Sequence, residues 1–354
     1  MTTYKDSGVD VKKGDMASAA AYAHAASTFE SRKGMIGEPV FEEDGYAGFL
    51  DMGDYYLIQS TDGTGTKLDL AAEMNSFETL GYDLLAMVAD DAICVGAEVI
   101  SLSNCIDVPS VNPKMIDAMM KGLSKACKEQ KIAIPAGEIA EVPGAVNRAV
   151  WSASAVGIVA KDKVIKPETI VEGDTIISLK SGVARSNGFS LLRKILSDSY
   201  GKDWHTKEWK NGTTWGEILM TPSIVYQSAV LSLIGRYREE RKIDVKGVAH
   251  ITGGGIPSKL GRVLRKTGLG ANLTDLFSPH EAIVDIIKLG NVPEEETYKT
   301  WNMGNGMMLV VSPEDANEAI SLLKKVEIEA KTAGTIVSDP KIMISINSKE
   351  RLFF

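Results

Sequence analysis

Tyr55-Tyr-Leu-Ile-Gln-Ser-Thr-Asp-Gly-Thr-Gly-Thr-Lys67 decides how this chain is to be read. Residues 55–60 are aromatic and apolar enough for a strand. The strand runs straight into a turn of glycines and hydroxyls that ends on a lysine. Gly63 and Gly65 allow the backbone to aim its N–H groups at an anion. Thr61, Thr64 and Thr66 can bond phosphate oxygens, Lys67 adds a positive charge, and Asp62 is a candidate Mg²⁺ ligand. On these residues alone, a plain polar loop between strand and helix reads equally well.

Working outward, the Ala-rich stretch 17–32 predicts a helix capped by Asp15 and ended by Gly34. Residues 76–96 predict a helix with Leu80, Leu84, Met87 and Val88 on one face. Strands follow at 99–102, 132–134 and 149–160, with a proline-opened helix at 113–130 between the first two. The charged, turn-rich run 161–174 marks a domain boundary. Beyond it the pattern predicts strands at 175–179, 307–311, 333–337 and 341–346, and helices at 187–199, 223–237, 256–266, 280–289 and 313–325. Strands and helices mix without strict alternation, which favours two α+β domains over one doubly wound sheet.

Composition agrees with a globular chain. The 354 residues are 44% hydrophobic and 24% charged, enough for about two domains and a sizeable core. Lys and Arg number 39 against 47 Asp and Glu, a net charge of -8. That balance argues against a dedicated nucleic-acid or anionic-membrane binder, while leaving room for one locally basic pocket. Cys94, Cys105 and Cys127 are too scattered for a disulfide framework or a zinc site. The polar N-terminus and the lack of an apolar run of ~18 residues point to a cytoplasmic protein.

No P-loop, dinucleotide fingerprint, zincin helix or nucleophile elbow occurs. What remains is a series of glycine-rich junctions. Val88-Ala-Asp-Asp-Ala92 places two carboxylates about 100° apart on a helix, so at most one faces a site squarely. Gly137-Glu138 follows a strand end, where a carboxylate suits a metal. Val248-Ala-His-Ile-Thr-Gly-Gly-Gly-Ile-Pro257 joins an anion nest to a helix N-terminus, with His250 beside it as a proton carrier. Arg185-Ser-Asn-Gly-Phe-Ser190 opens another helix, with Ser186 or Asn187 as caps.

Taken in order, these segments resemble the phosphoribosylformylglycinamidine cyclo-ligases, or aminoimidazole ribonucleotide synthetases. The resemblance starts at Tyr4-Lys-Asp-Ser-Gly-Val-Asp10 and passes through Thr61–Lys67, Gly96-Ala-Glu98, Gly137–Gly144, Ser186–Gly188 and Ala249–Gly255. It ends at Asn302-Met-Gly-Asn-Gly306 and so spans nearly the whole chain. It implies a two-domain α+β fold: an ATP-binding and dimerisation domain over 1–165, whose strands form a barrel across a homodimer, and an α+β domain over 166–354. It implies ATP- and Mg²⁺-dependent ring closure of formylglycinamidine ribonucleotide. Carried over by position, Lys5 reaches the nucleotide phosphates, Asp62, Asp91 and Glu138 serve Mg²⁺–ATP, and residues 63–67 line the phosphate loop. Asn187 and His250 sit near the reacting centre. An ATP-using paralogue with another small substrate, or a non-catalytic nucleotide-binding protein, remains open.

Several positions depart from the family's usual pattern. Asp90-Asp91 stands where Asn-Asp is usual, and Arg185 where a histidine is common. Ser103-Asn-Cys105 replaces Leu-Asp-Tyr. Ile224 and Ser228 replace an arginine and a lysine. Loss of those two cations predicts that Arg185, at a helix opening, takes over part of the binding of the substrate's phosphate.

Overall fold

The computed structural model describes residues 11–40, 46–346 and 350–354. Lys5 and the rest of the Tyr4–Asp10 motif lie outside them.

The first half builds one sheet. β1 (Glu38–Val40), β2 (Gly48–Asp51), β3 (Tyr55–Gly63), β4 (Glu98–Val108), β5 (Ala133–Glu141) and β6 (Val150–Ala160) lie in the order β1-β2-β3-β6-β4-β5. All pairs are antiparallel except β4–β5, which α4 (Pro113–Gln130) connects as a crossover. Asn112 caps α4, accepting from the amides of Lys114 and Met115 at 3.1 and 3.3 Å, and Pro113 fills the first helical position. α3 (Leu80–Ile93) lies with α4 on one face of the sheet. The two helices approach so closely that a Cβ on Gly81 of α3 would fall 2.1 Å from the Leu123 amide nitrogen of α4.

Along β4, Leu102, Asn104, Ile106 and Val108 are buried against this layer, while Ser103, Cys105 and Asp107 are only half-buried on the other face. The same alternation runs through β6, where Trp151, Ala153 and Ala155 face inward. Each strand therefore outlasts its apolar run, which explains why the expected strands at 99–102 and 132–134 extend to Val108 and Glu141. Among the described residues the sheet is open, with β1 and β5 as its edges.

The second half holds β7 (Thr175–Lys180), the hairpin β8 (Glu208–Lys210) and β9 (Thr213–Thr214), β10 (Val245–His250), β11 (Gly270–Leu273), β12 (Asn305–Val311), β13 (Ala330–Val337), β14 (Ile342–Ser345) and β15 (Arg351–Phe353). Apart from the hairpin, they form a seven-stranded sheet in the order β10-β12-β7-β13-β11-β14-β15. β7 and β12 lie inside it, and every residue of β12 is buried. Around it pack α5 (Phe189–Tyr200), α6 (Trp215–Leu219), α7 (Gln227–Ile234), α8 (Gly255–Leu264), α9 (Glu281–Gly290), α10 (Glu294–Thr300) and α11 (Ala316–Lys325).

Two remaining helices differ from expectation. α1 runs Val11–Ala26, so Asp15 lies within the helix and does not cap it. Gly34 follows a separate short turn at Phe29–Arg32. α2 (Lys67–Met74) begins inside the stretch expected to be a loop and stops at Asn75, which adopts a left-handed φ of 48°. Among the described residues, no helix is long and apolar enough to cross a membrane.

Candidate active site

α3 organises the centre of the molecule. Asp83 and Asp90 are seven residues apart, two turns, and so share a face of the helix. Both are fully buried, and each holds a buried cation. The Lys67 ammonium lies within 2.8–2.9 Å of both Asp83 oxygens and donates to the Thr221 carbonyl at 2.7 Å. Ser186 and Ser223 hydroxyls and the Ser223 amide also converge on Asp83. Burial lowers the pKa of Lys67, and Asp83 opposes that shift. Lys67 therefore does not line a phosphate cradle as expected. Its charge is spent inside the protein.

The second pair corrects the reading of Arg185. Its guanidinium is buried, donates to Asp90 at 2.8 Å, to the Gly306 carbonyl at 3.1 Å and to the Ile224 carbonyl at 3.2 Å, and stacks 5.0 Å from the centre of the Tyr226 ring. It offers no surface to a substrate phosphate. Asp90 also accepts from the Tyr226 amide at 2.8 Å. Burial raises its carboxyl pKa, and Arg185 opposes this. Two departures from the family pattern, Asp90 and Arg185, are thus one interaction.

Beyond this face, β10 delivers His250 at its last residue. The ring is completely buried. Nδ1 is 2.7 Å from Asp91 Oδ1, while Nε2 is 3.9 Å from Asp90 and has no hydrogen-bond partner. Asp91 is the partly exposed member of the Asp90-Asp91 pair. The expected proton carrier is therefore closed off from solvent and pins a carboxylate. Asp62, at the end of β3, accepts from its own neighbour's amide, Gly63 N, at 2.7 Å. Burial raises its pKa, and the nearby charge of Asp91 adds to the rise. Lys259 of α8 belongs to the same group, its pKa lowered chiefly by burial and raised by Asp91 and Asp62. Sequence reading passed over Lys259 because a lysine on an amphipathic helix looks solvated.

Of the glycine-rich loop, Gly63 and Thr64 already spend their amides internally, Thr64 on the Trp151 carbonyl at 3.1 Å. Gly65 adopts φ 59° and lies against the Ser186 carbonyl, and the Thr66 hydroxyl reaches Ser190 at 3.3 Å. The loop therefore packs on the turn that opens α5. In that turn, the Asn187 side-chain oxygen is buried without a partner. Before α8, Gly254 and Gly255 take the positive φ that glycine permits, 88° and 62°, a Cβ on Gly255 would strike the Tyr298 carbonyl, and the Gly255 amide donates to the Thr252 carbonyl at 2.9 Å. The Asn302–Gly306 motif is internal architecture, with the Asn305 side chain bonded to Ser178, Phe277 and Met303.

Glu138 does not join Asp62 and Asp91. It is exposed on the edge strand β5, level with Cys105, Ser152 and Gly63 across the sheet, and so on the face opposite Asp62. Among the described residues, no three His, Cys, Asp or Glu side chains gather into a metal site.

The AIR synthase related protein N-terminal domain family matches residues 44–159, and the corresponding C-terminal domain family matches 171–347. A phosphoribosylformylglycinamidine cyclo-ligase of Pyrococcus furiosus is 39% identical over 97% of this chain and 98% of its own length. Proteins of that name from Thermococcus kodakarensis and Methanocaldococcus jannaschii are each 37% identical over 97% of this chain, covering 98% and 94% of their own. The chain belongs to the phosphoribosylformylglycinamidine cyclo-ligase family. It is accordingly an enzyme.

Among solved structures, a HypE–HypF complex aligns with a TM-score of 0.64 at 14% identity, covering 88% of this chain and 92% of the other. Hydrogenase maturation protein HypE in complex with ATP aligns at 0.61 and 15%, covering 84% of each chain. These two share the fold.

Proposed function

We propose that this enzyme closes formylglycinamidine ribonucleotide to aminoimidazole ribonucleotide in purine biosynthesis, consuming ATP and releasing ADP and phosphate. The observation that carries this reading is 39% identity over 97% of the chain to a relative bearing the cyclo-ligase name. The amide oxygen attacks the γ-phosphorus of ATP and ADP leaves. An internal nitrogen then attacks the same carbon, the C–O bond breaks, phosphate departs with the oxygen, and the nitrogen loses its proton. Converting a poor leaving group into phosphate is the chemical purpose of ATP here. The protein's share is positioning and charge neutralisation.

A cavity of about 400 Å³, walled by Tyr22, Phe29, Val40 and Tyr46, ends at Ser60 and Thr61. Its position supports ATP with base and ribose in the cavity and phosphates toward Asp62 and Gly65. Hard oxygen donors suit Mg²⁺, which keeps waters and binds through one or two carboxylates plus phosphate. Asp62 and Asp91 fit, each orienting itself through Oδ1 and offering Oδ2. When bound, Mg²⁺ supplies neutralisation of phosphate charge. His250 serves by holding Asp91, and Asn187, whose side-chain oxygen is buried without a partner, accepts from a substrate N–H in this reading. Lys5, outside the described residues, completes the phosphate contacts in this reading. Glu138 lies on the uncovered sheet face, so it serves this site only across a dimer of 1–165 domains.

The test is purified protein with ATP, Mg²⁺ and formylglycinamidine ribonucleotide, assayed for aminoimidazole ribonucleotide. Asp62→Asn is expected to slow turnover by about a hundredfold or more with its melting temperature nearly unchanged. ATP hydrolysis without ring closure would instead favour a paralogue with another substrate.

A further inference from the structure

α9 opens on a histidine. His280 stands just before its first helical residue, and the ring Nδ1 accepts from the Ala282 amide at 3.1 Å, while the His280 carbonyl accepts from the Ile283 and Val284 amides at 2.9 and 3.2 Å. The first N–H groups of a helix have no partner within it, and a side-chain acceptor at this position satisfies one of them. An imidazole nitrogen accepts only while it carries no proton. The cap of α9 therefore rests on a group whose charge changes near neutral pH.

The same ring seats the β8–β9 hairpin. Three residues paired with two are too few to stand alone. Trp209, in the middle of β8, lies with its ring centre 5.6 Å from that of His280 and 6.0 Å from that of Trp215, and its indole N–H donates to Asp285 at 2.9 Å. Lys210 reaches Glu281 at 3.0 Å and Asp285 at 3.3 Å. All of these contacts with α9 fall within residues 280–285.

Burial lowers the pKa of the half-buried His280 ring, Glu281 of α9 raises it and Lys210 of β8 lowers it. Burial is the largest of the three, and the positive end of the helix dipole acts in the same direction. Asp285 faces the hairpin from the next turn. The Trp209 N–H holds its carboxyl below the ordinary range, so it stays ionised while the ring titrates. Glu208 of β8 accepts from the Gly212 amide at 2.9 Å. The 276–279 segment before the ring carries no ionisable side chain, and α5 meets α9 with Ile195 against Gly290, at the far end of the helix.

We propose that His280 is a pH-operated latch between α9 and the β8–β9 hairpin. The neutral ring caps the helix and seats Trp209. The protonated ring cannot accept from Ala282, and the first turn of α9 and the hairpin come loose together. The folded ring binds its proton less tightly than the unfolded chain does. Its contribution is therefore complete above the ordinary histidine value of 6.5 and is lost as pH falls from there through the lowered folded value.

The test is amide hydrogen exchange of the full chain at about pH 7.5 and about pH 5, expressed as protection relative to the intrinsic rate at each pH. Protection of amides 281–284 and 208–214 should fall by about fivefold or more at the lower pH, the scale of a lost helix cap. His280→Asn keeps an uncharged acceptor at the cap and should hold the neutral level of protection at both values. His280→Ala should show the lowered level at both. The ring's own titration, followed by NMR in the unsubstituted chain, needs no variant and should give a pKa below 6.5. Protection of either segment that ignores pH, a pH dependence that survives in His280→Asn, or a ring pKa at or above 6.5 overturns the proposal.

Discussion

Arg185 shows what a single residue can hide. It stands at φ 56°, a left-handed conformation that strains most side chains, and spends its guanidinium on Asp90 and two carbonyls. Taking one partner from a buried ion pair costs about 3–5 kcal/mol, because the other charge is left stranded. Arg185→Met should therefore lose about that much in denaturant unfolding, and Arg185→Met/Asp90→Asn should recover much of it. The sign of the pH dependence follows from Asp90. Its folded pKa is raised by burial, so the folded state holds its proton more tightly than the unfolded chain does. Removing Arg185 raises it further. Stability of Arg185→Met should then fall as pH rises from the ordinary carboxylate range through the raised value, and the loss should shrink at acid pH. A loss independent of pH would mean that Asp90 is not the stranded charge. Lys67→Met makes the parallel case: it should destabilise the fold by about 3–5 kcal/mol, whereas a phosphate-loop lysine would raise KM for ATP with stability unchanged.

At the scale of elements, local chemistry was legible wherever it decided the outcome. The helix predicted at 113–130 is α4, residue for residue, because Asn112 and Pro113 define its start without help from tertiary structure. Asn112→Ala should cost about 1 kcal/mol, read as a shift in the unfolding midpoint with an unchanged slope. Other elements depended on partners distant in sequence. β4 looked short because Ser103, Cys105 and Asp107 interrupt its apolar run, yet these are simply the residues of the uncovered face. α2 was hidden because Thr64-Gly-Thr-Lys67 reads as loop, and its first residue, Lys67, is fixed by Asp83 from the next helix. At the candidate site, the residues Asp62, Asp91 and His250 were legible as motif members. Their geometry was not, since the Asp91–His250 contact spans 159 positions. Asp90 and Arg185 each looked like an isolated departure for the same reason.

The whole molecule leaves one surface unexplained by a single chain. α3 and α4 cover one face of the first sheet, while Ser152, Ser154 and Val156 of β6 line the other, half-buried with no layer over them among the described residues. An antiparallel sheet can leave such a face to water, but β4 and β6 here expose valine, isoleucine and small residues, with Glu138 level with them on the edge strand. A second copy pressed against this face would bury it, and two open sheets with exposed edges would close against each other. The chain should accordingly sediment as a homodimer. Val156→Glu, which plants a carboxylate in the middle of the face, should produce a monomer with an unchanged circular dichroism spectrum. If Glu138 acts across the dimer, that monomer should also lose about a hundredfold in turnover, and Glu138→Gln should lose a similar factor while remaining dimeric. A fully active Val156→Glu monomer would confine the whole reaction to one chain and remove Glu138 from it.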